Sequence, residues 1–394
     1  MLDTLNPPVS DPLFGIISQY QADPRPGKLD LVVGVYRDES GVTPTLEAVK
    51  KAERELAAEG ASKAYRGLSG NLAFNDGIAR ILLGNSTNLL SRQATLQTIG
   101  GTGALRVLAE FIATASPGAT VWSSNPGYVN HRPIVESAGL TMRTYRWQLT
   151  NGKFDIQAFL DDLSNAHTGD VVLVHGCCHN PSGIDLTNED WKVLSDFCAK
   201  HGLVPWIDMA YQGLSKGLNE DATGLRHMAE INETVLIASS CSKNMGLYCE
   251  RTGAACILSK NTTALPHVTG TLQNIVRPLY SMPADHGAAI AVKLFADPRQ
   301  WHKELATMRT RIRHLRDALA LELEHLEAPT TLLDVRLHNG MFSTLPLTPE
   351  AMLQLRSEFG IYGSDSGRIN VAGLTKAQIP YLANALTTVS KSKS

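Results

Sequence analysis

The sequence contains no apolar run approaching the length needed to span a bilayer, which argues against a helical membrane protein. It has little cysteine: six residues in 394, at 177, 178, 198, 241, 249 and 256. In a chain this long they read as reduced, mostly buried thiols and not as a disulfide framework. It has no charge imbalance: the formal net charge is −2 and acids and bases are mixed along the chain. The basic footprint of a nucleic-acid binder is missing, and so is an acidic tail. The first residues, "MLDTLNPPVSDP", carry acids and prolines where a signal peptide has a basic start and an apolar stretch. The expectation is a cytoplasmic protein with neither membrane nor nucleic acid as partner. There is no internal repeat and no low-complexity segment beyond the final "SKSKS".

Two motif absences narrow the chemistry. A glycine-rich "GGTG" at 100–103 lacks the G-K-[ST] of a P-loop. "HGCCHNP" sets Cys177, Cys178 and His179 side by side with His175 nearby, but no second ligand pair at zinc-finger spacing accompanies them. Adjacent residues on a strand point to opposite faces, so no metal site is expected.

What is present is an ordinary globular composition, 43% hydrophobic and 19% charged, in a chain long enough for a large core and two domains. Short apolar runs alternate with helical patterns: "DLVVGVY" (30–36), "ATVWSS" (119–124), "DVVLVHGCC" (170–178), "LVPWID" (203–208), "TVLIASS" (234–240) and "GAACIL" (253–258). Between them, "TNEDWKVLSDFCAKHG" opens on a capping box, Thr187 and Asp190, and sets Trp191, Leu194 and Cys198 on one face. Strands alternating with helices predict an α/β domain with a mainly parallel sheet. From 297 onward one long, charge-laced helix is predicted, followed by short strands and helices of a smaller α+β domain. The boundaries expected are an N-terminal arm over 1–10, a small domain from 11–44 and 311–394, and a large domain over 45–310.

Ligands of open α/β sheets bind beyond the carboxyl ends of the strands. The polar residues that follow each apolar run are therefore the candidates. The run ending at Ile99 leads into Gly100–Gly103 and a helix start, whose N–H groups and Thr102 suit a phosphate. "DVVLVHGCC" leads to His179 and Asn180, "LVPWI" to Asp208 and Tyr211, and "TVLIASS" to Ser240, Ser242 and Lys243, with Arg251 eight residues on. An anion cradle, a carboxylate, a phenol, a carboxamide and a lysine on one sheet edge match the needs of pyridoxal phosphate. The cofactor takes a lysine amine able to lose its charge. It takes a carboxylate to keep its ring nitrogen protonated, so that the ring serves as an electron sink. It takes a donor for its 3-oxygen, and hydroxyls with an arginine fork for its phosphate.

The motifs "GGTGALR", "HGCCHNPSG", "DMAYQG", "SKNMGLYCERTG" and "GRINVAGL", in this order, closely resemble those of the aspartate and aromatic amino acid aminotransferases, class I of the fold-type I pyridoxal phosphate enzymes. The resemblance covers nearly the whole chain. It implies that Lys243 is the Schiff-base lysine that also shuttles the α-proton, and Asp208 the partner of the pyridine nitrogen. It implies that Tyr211 and Asn180 hold the ring 3-oxygen, and that Gly101, Thr102, Ser240, Ser242 and Arg251 hold the phosphate. Tyr65 matches a tyrosine that reaches the neighbouring subunit's phosphate. Arg368 matches the fork for the substrate α-carboxylate, with Gly34 near it. Arg277 matches an arginine, again from the neighbour, that pairs with the distal carboxylate of dicarboxylic substrates. His131 stands where the family has a histidine behind the aspartate. The reaction implied is transfer of an amino group between an amino acid and a 2-oxo acid through pyridoxamine phosphate, in a homodimer with shared sites. Aspartate or glutamate is the expected donor, with aromatic side chains as further substrates.

The chain departs from the family's pattern at three places. "NPGYVNH" puts Tyr128 where a tryptophan stacks on the cofactor, "YSMPA" puts Met282 and Ala284 beside Arg277, and Ala64 precedes Tyr65. These departures fall on the substrate side chain's surroundings, since tyrosine also stacks. They motivate an alternative reading, a same-fold enzyme catalysing elimination, replacement or carbon–carbon bond formation, because a fold does not fix a reaction. A binding protein on the same scaffold is the third reading, and it would have lost Lys243 or Asp208.

Overall fold

A computed structural model describes residues 2–4, 12–150 and 153–391. Of the arm expected over 1–10, only a 3-10 turn at Leu2–Thr4 falls within the described residues. The chain divides into two compact units. The larger takes residues 44–180 and 184–310, and the smaller takes the described residues up to Thr43, Pro181–Gly183, and those from Arg311 on.

The larger unit is built on a seven-stranded sheet. Its strands in chain order are β1 (Gln93–Ile99), β2 (Thr120–Asn125), β3 (Thr141–Arg146), β4 (Val171–His175), β5 (Val204–Met209), β6 (Thr234–Ser240) and β7 (Thr252–Ser259). They lie in the spatial order β1-β7-β6-β5-β4-β2-β3. β2 to β6 run parallel, and β7 is antiparallel to both β1 and β6. The central parallel strands β4, β5 and β6 are buried, mainly apolar runs because helices cover the sheet, whereas the edge strand β3 is polar and largely exposed. Leu105, Leu108 and Ile112 of helix α1 (Gly100–Ala115) pack with Val121, Leu173 and Trp206 of the sheet. Helix α2 (Asn188–His201) carries the predicted capping box with both of its hydrogen bonds, buries Trp191, Leu194 and Cys198, and ends at Gly202 in the left-handed conformation.

The sheet register gathers the strand ends on one edge. His175 pairs with Asp208, Asp208 with Ala238, Ser240 with Gly253, and Thr252 with Ile99. Because β7 runs the other way, its start, and Arg251 just before it, fall at the edge where the parallel strands end. The long helix α3 (Arg299–His325) is unbroken over 27 residues, and its residues up to Thr310 belong to the larger unit.

The smaller unit packs Leu315, Leu319 and Leu323 of α3 against Leu355, Leu382 and Leu386. Two short strands, β8 (Phe342–Thr344) and β9 (Arg368–Asn370), pair antiparallel with Thr344 opposite Arg368. Pro181–Gly183 joins this unit: the Asn339 N–H donates to the Gly183 carbonyl at 2.7 Å, and Gly183, at φ +75°, lies where a side chain would strike the Phe342 carbonyl. The apolar run 30–36 is not a strand beyond Leu29–Asp30, which pairs with Ile361–Tyr362. The carbonyls of Val32, Val33 and Val35 accept from side chains instead. Asn370 Nδ2 donates to Val33 and Val35 at 2.7 Å each, and Arg368 to Val32 at 2.9 Å. Among the described residues no helix is long and apolar enough to cross a membrane.

Candidate active site

The edge of the larger sheet carries the predicted cluster. Asp208 is the penultimate residue of β5 and is 5% exposed. His131 Nε2 lies 3.0 Å from Asp208 Oδ2, and His131 Nδ1 lies 3.5 Å from the Ser123 hydroxyl. Burial on its own would raise the Asp208 pKa, but the hydrogen bond to His131 and the positive charge of Lys243 outweigh it, so the carboxyl is held below its usual value. His175 adds no charge at neutral pH, because burial pushes its pKa down to about 3.

Lys243 lies in the turn after β6, with its Nζ 4.8 Å from the centre of the Tyr211 ring. Burial lowers its pKa, the nearby Asp208 carboxylate opposes that shift, and the Arg251 guanidinium adds to it. The result is an amine that gives up its proton more readily than a surface lysine. Tyr211 and Asn180 are both buried, and Asn180 Nδ2 donates to the Tyr211 hydroxyl at 3.2 Å. The structure therefore brings together a carboxylate kept anionic, an amine eased toward its neutral form, and a phenol and carboxamide in contact.

The anion cradle adjoins them in the register. The Ser240 and Ser242 hydroxyls are 3.1 Å apart, Ser242 N–H donates to Ser240 Oγ at 3.2 Å, and Arg251 Nη1 reaches Ser242 Oγ at 3.4 Å. The turn into α1 requires glycine: Gly100 has φ +65°, and a Cβ there would sit 2.4 Å from Arg251 Nη2. Gly101 follows, with the Ser240 side chain 3.0 Å from where its Cβ would be. Thr102 is exposed at the first turn of α1.

Other predicted residues lie elsewhere. Tyr128 is half-buried, with its ring edge-on to His131 at 5.2 Å. Tyr65 is 95% exposed and lines a cleft of about 920 Å³ with Ala64, Met282 and Ala284. Three of the residues that depart from the family pattern thus share one cleft, and Tyr128 is not among those lining it. Met282 Sδ accepts from the Arg66 N–H at 3.2 Å. Arg277 is exposed on helix Leu265–Leu279 and donates to Ser281 Oγ at 2.6 Å. Gly34 and Arg368 belong to the smaller unit. There the Arg368 guanidinium lies 4.6 Å from the Phe342 ring centre, and a Cβ on Gly34 would be 2.6 Å from the same ring.

Sequence reasoning left several neighbours unassigned. His179 stacks on Trp147, with ring centres 4.2 Å apart, and its Nε2 lies 2.9 Å from the Ser124 hydroxyl. His175 lies between the His131 and His179 rings, at 5.1 and 4.7 Å. No local pattern joins these residues. Among the described residues two buried groups set three potential metal-ligating atoms within 4.8 Å of one another: His131, His175 and Asp208, and Cys177, Cys178 and Asp221. In the first, Asp208 and His131 already bond each other, and in the second the Asp221 carboxylate accepts from the N–H groups of Gly213, Ser215, Lys216 and Gly217.

The model of the family "Aminotransferase class I and II" matches residues 26–386. The aspartate aminotransferase of Escherichia coli (strain K12) is 40% identical over 99% of this chain and all of its own length. The aromatic-amino-acid aminotransferase of Paracoccus denitrificans is 41% identical over the same shares. Among solved structures, the aromatic-amino-acid aminotransferase of Burkholderia pseudomallei covalently bound to pyridoxal phosphate superposes with a TM-score of 0.96 at 34% identity, covering 99% of both chains.

Proposed function

This chain belongs to the class I and II aminotransferases and is a pyridoxal phosphate-dependent transaminase, and we propose that it works on aspartate and glutamate, and on aromatic amino acids, as a cytoplasmic homodimer with shared active sites. The residues present fit the cofactor. A buried carboxylate held anionic suits a protonated ring nitrogen, and glycine at position 100 lets the Arg251 guanidinium lie against the start of α1, where a Cβ would press on its Nη2. When bound, pyridoxal phosphate supplies an electron sink for charge developing at the amino acid's α-carbon and carries the amino group between the two half-reactions.

The chain's own residues do the rest. Lys243 anchors the cofactor, and its eased amine then moves the proton at the α-carbon. Asp208 keeps a proton on the ring nitrogen, with His131 fixing the carboxylate's orientation. Tyr211 and Asn180 hold the 3-oxygen. Gly101, Thr102, Ser240, Ser242 and Arg251 hold the phosphate, with Tyr65 reaching it from the neighbouring subunit. Tyr128 stacks on the ring. Arg368, with Gly34 beside it, takes the substrate α-carboxylate as a bidentate fork, and Arg277 takes a distal carboxylate from the neighbour. The exposure of Tyr65 and Arg277 in a single chain favours their service to a second copy. All six cysteines are free thiols and five are buried, which suits a reducing compartment.

The observation that carries this reading is the convergence of Lys243, Asp208, Tyr211 and Asn180 beside the Ser240–Ser242–Arg251 cradle. The test is borohydride reduction of the purified enzyme followed by peptide mapping, with a half-reaction panel of amino acids. The cofactor is expected on Lys243, and glutamate is expected to release 2-oxoglutarate. A label on another lysine, or cleavage products in place of the oxo acid, would overturn the reading.

A further inference from the structure

The most deeply buried cation among the described residues of the smaller unit is one that no role above uses. Arg316, on α3, is completely buried. Its Nη1 donates to the Ser343 hydroxyl at 2.5 Å and the Val335 carbonyl at 3.2 Å. Its Nη2 donates to the carbonyls of Gly340 and Phe342 at 2.7 Å each, and to that of Asn339 at 3.4 Å. A guanidinium removed from water needs its donors met, and here both Nη groups are met from one segment, 335–343, by four carbonyls and the Ser343 hydroxyl. That stretch ends in β8, which pairs with β9, Phe342 opposite Asn370 and Thr344 opposite Arg368. Phe342 carries the ring that faces the Arg368 guanidinium at 4.6 Å and meets Gly34 on closest approach.

We propose that Arg316 is a positioning residue for α-carboxylate recognition: by gripping the carbonyls of 335–343 it fixes β8, and through the Phe342 ring and the β8–β9 ladder it fixes the angle of the Arg368 fork. The inference rests on the reading of Arg368 as the α-carboxylate ligand. A planar five-donor guanidinium can hold several carbonyls at fixed angles at once, whereas an ammonium at the same place cannot. A bidentate fork tolerates little angular error, so a small shift of β8 weakens every substrate that carries an α-carboxylate. Because Arg316 is completely buried with both Nη groups engaged by 335–343, the chemistry after binding is left alone.

The test is steady-state and single-turnover kinetics of the holoenzyme for Arg316→Lys, Ser343→Ala and, as reference, Arg368→Leu. Aspartate, phenylalanine and 2-oxoglutarate are the probes. Arg316→Lys is expected to raise KM for all three in parallel, by about 10- to 100-fold as for a displaced binding group. kcat at saturation is expected within about twofold and bound cofactor unchanged, a split that general loss of folding does not produce. Ser343→Ala, which keeps the arginine, is expected to move KM in the same direction by a few fold. It decides the matter alone if Arg316→Lys yields no folded enzyme. If Arg368→Leu raises KM but folded Arg316→Lys and Ser343→Ala do not, the positioning role is overturned and the reading of Arg368 stands. If Arg368→Leu leaves KM unchanged, both fall.

Discussion

His131 Nε2 stands 3.0 Å from Asp208 Oδ2, and the two side chains are 1% and 6% exposed. An imidazole is thereby spent on orienting a buried carboxylate that the role proposed for it needs ionised. Burial works against that ionisation and His131 works for it. In His131→Phe, which keeps the ring's volume, burial prevails and the Asp208 pKa rises. A depressed pKa keeps the anion down into acid, so its loss moves the acid limb of the kcat profile to higher pH. Asp208→Asn, which cannot carry the charge, is expected to lose at least about 100-fold in kcat at every pH. A His131→Phe profile superposable on wild type would show that the contact is only packing.

Gly100→Ala is expected to release the cofactor. The new Cβ would press on Arg251 Nη2 and would adopt φ +65°, which costs an L-residue about 1 kcal/mol. The guanidinium must then swing away from Ser242, and the phosphate loses its fork. Cofactor remaining after dialysis, read from absorbance, is expected to fall well below wild type while the fold is kept. Full retention would place the phosphate elsewhere.

Acid lability is expected from His338 in the smaller unit. Burial first, then the charges of Arg316 and Arg313, push its pKa down to about 3. The unfolded chain, with histidine near 6.5, takes up the proton that the native state refuses, so stability rises with pH between about 3 and 6.5 and is complete above that window. On acidification it falls by up to about 1.4 kcal/mol per pH unit for this one group. Urea unfolding at pH 7 and pH 5 measures the slope. His338→Gln, which keeps an acceptor for the Ser343 hydroxyl, is expected to flatten it, and an unchanged slope would assign the lability to other groups.

The sequence made the active edge readable for a physical reason: the central parallel strands β4, β5 and β6 are apolar runs that give way to polar residues at their ends, so Asp208, Ser240 and Asn180 announce themselves by position. The capping box of Thr187 and Asp190 is equally local. The run 30–36 misleads because its β-like composition serves a segment whose carbonyls are held by Asn370, 337 residues from Val33. The His179–Trp147 stack and the Arg316 grip are likewise contacts between distant positions, for which a single sequence holds no periodic signal. Tyr65, Arg277, Arg368 and Gly34 were visible only through resemblance, since none of them follows an apolar run at the active edge of the sheet: Tyr65 and Arg277 are exposed, and Arg368 opens a short strand of the smaller unit.

Substrate choice is expected to divide between two arginines. Every amino acid has the α-carboxylate proposed for Arg368, and only aspartate and glutamate have the second one proposed for Arg277. Losing one partner of a desolvated charge pair costs roughly 2–5 kcal/mol, about 30-fold to several thousand-fold in kcat/KM. Arg277→Leu is expected to impose that loss on aspartate and glutamate and to leave phenylalanine and tyrosine nearly unchanged. Met282 in the adjoining cleft offers a soft apolar wall, so wild type is expected to accept aromatic donors well. Equal losses on all four substrates would make Arg277 structural.

Shared sites make a sharper prediction, because they fix an arithmetic. If Arg277 serves the neighbour, a Lys243→Ala homodimer lacks the amine at both sites, and an Arg277→Ala homodimer lacks the distal-carboxylate ligand at both. Dissociating the two and letting them reassociate at random makes about half of the dimers mixed. In a mixed dimer, one site combines the intact Lys243 of one subunit with the intact Arg277 of the other, and the second site lacks both. About a quarter of all sites are then whole, so aspartate activity is expected to climb from near zero toward about a quarter of wild type. Were Arg277 to act within its own subunit, no mixed dimer would hold a whole site and the mixture would stay inactive. Sedimentation of the reassociated sample checks that mixing took place, and a fully active monomer there would refute the shared site outright.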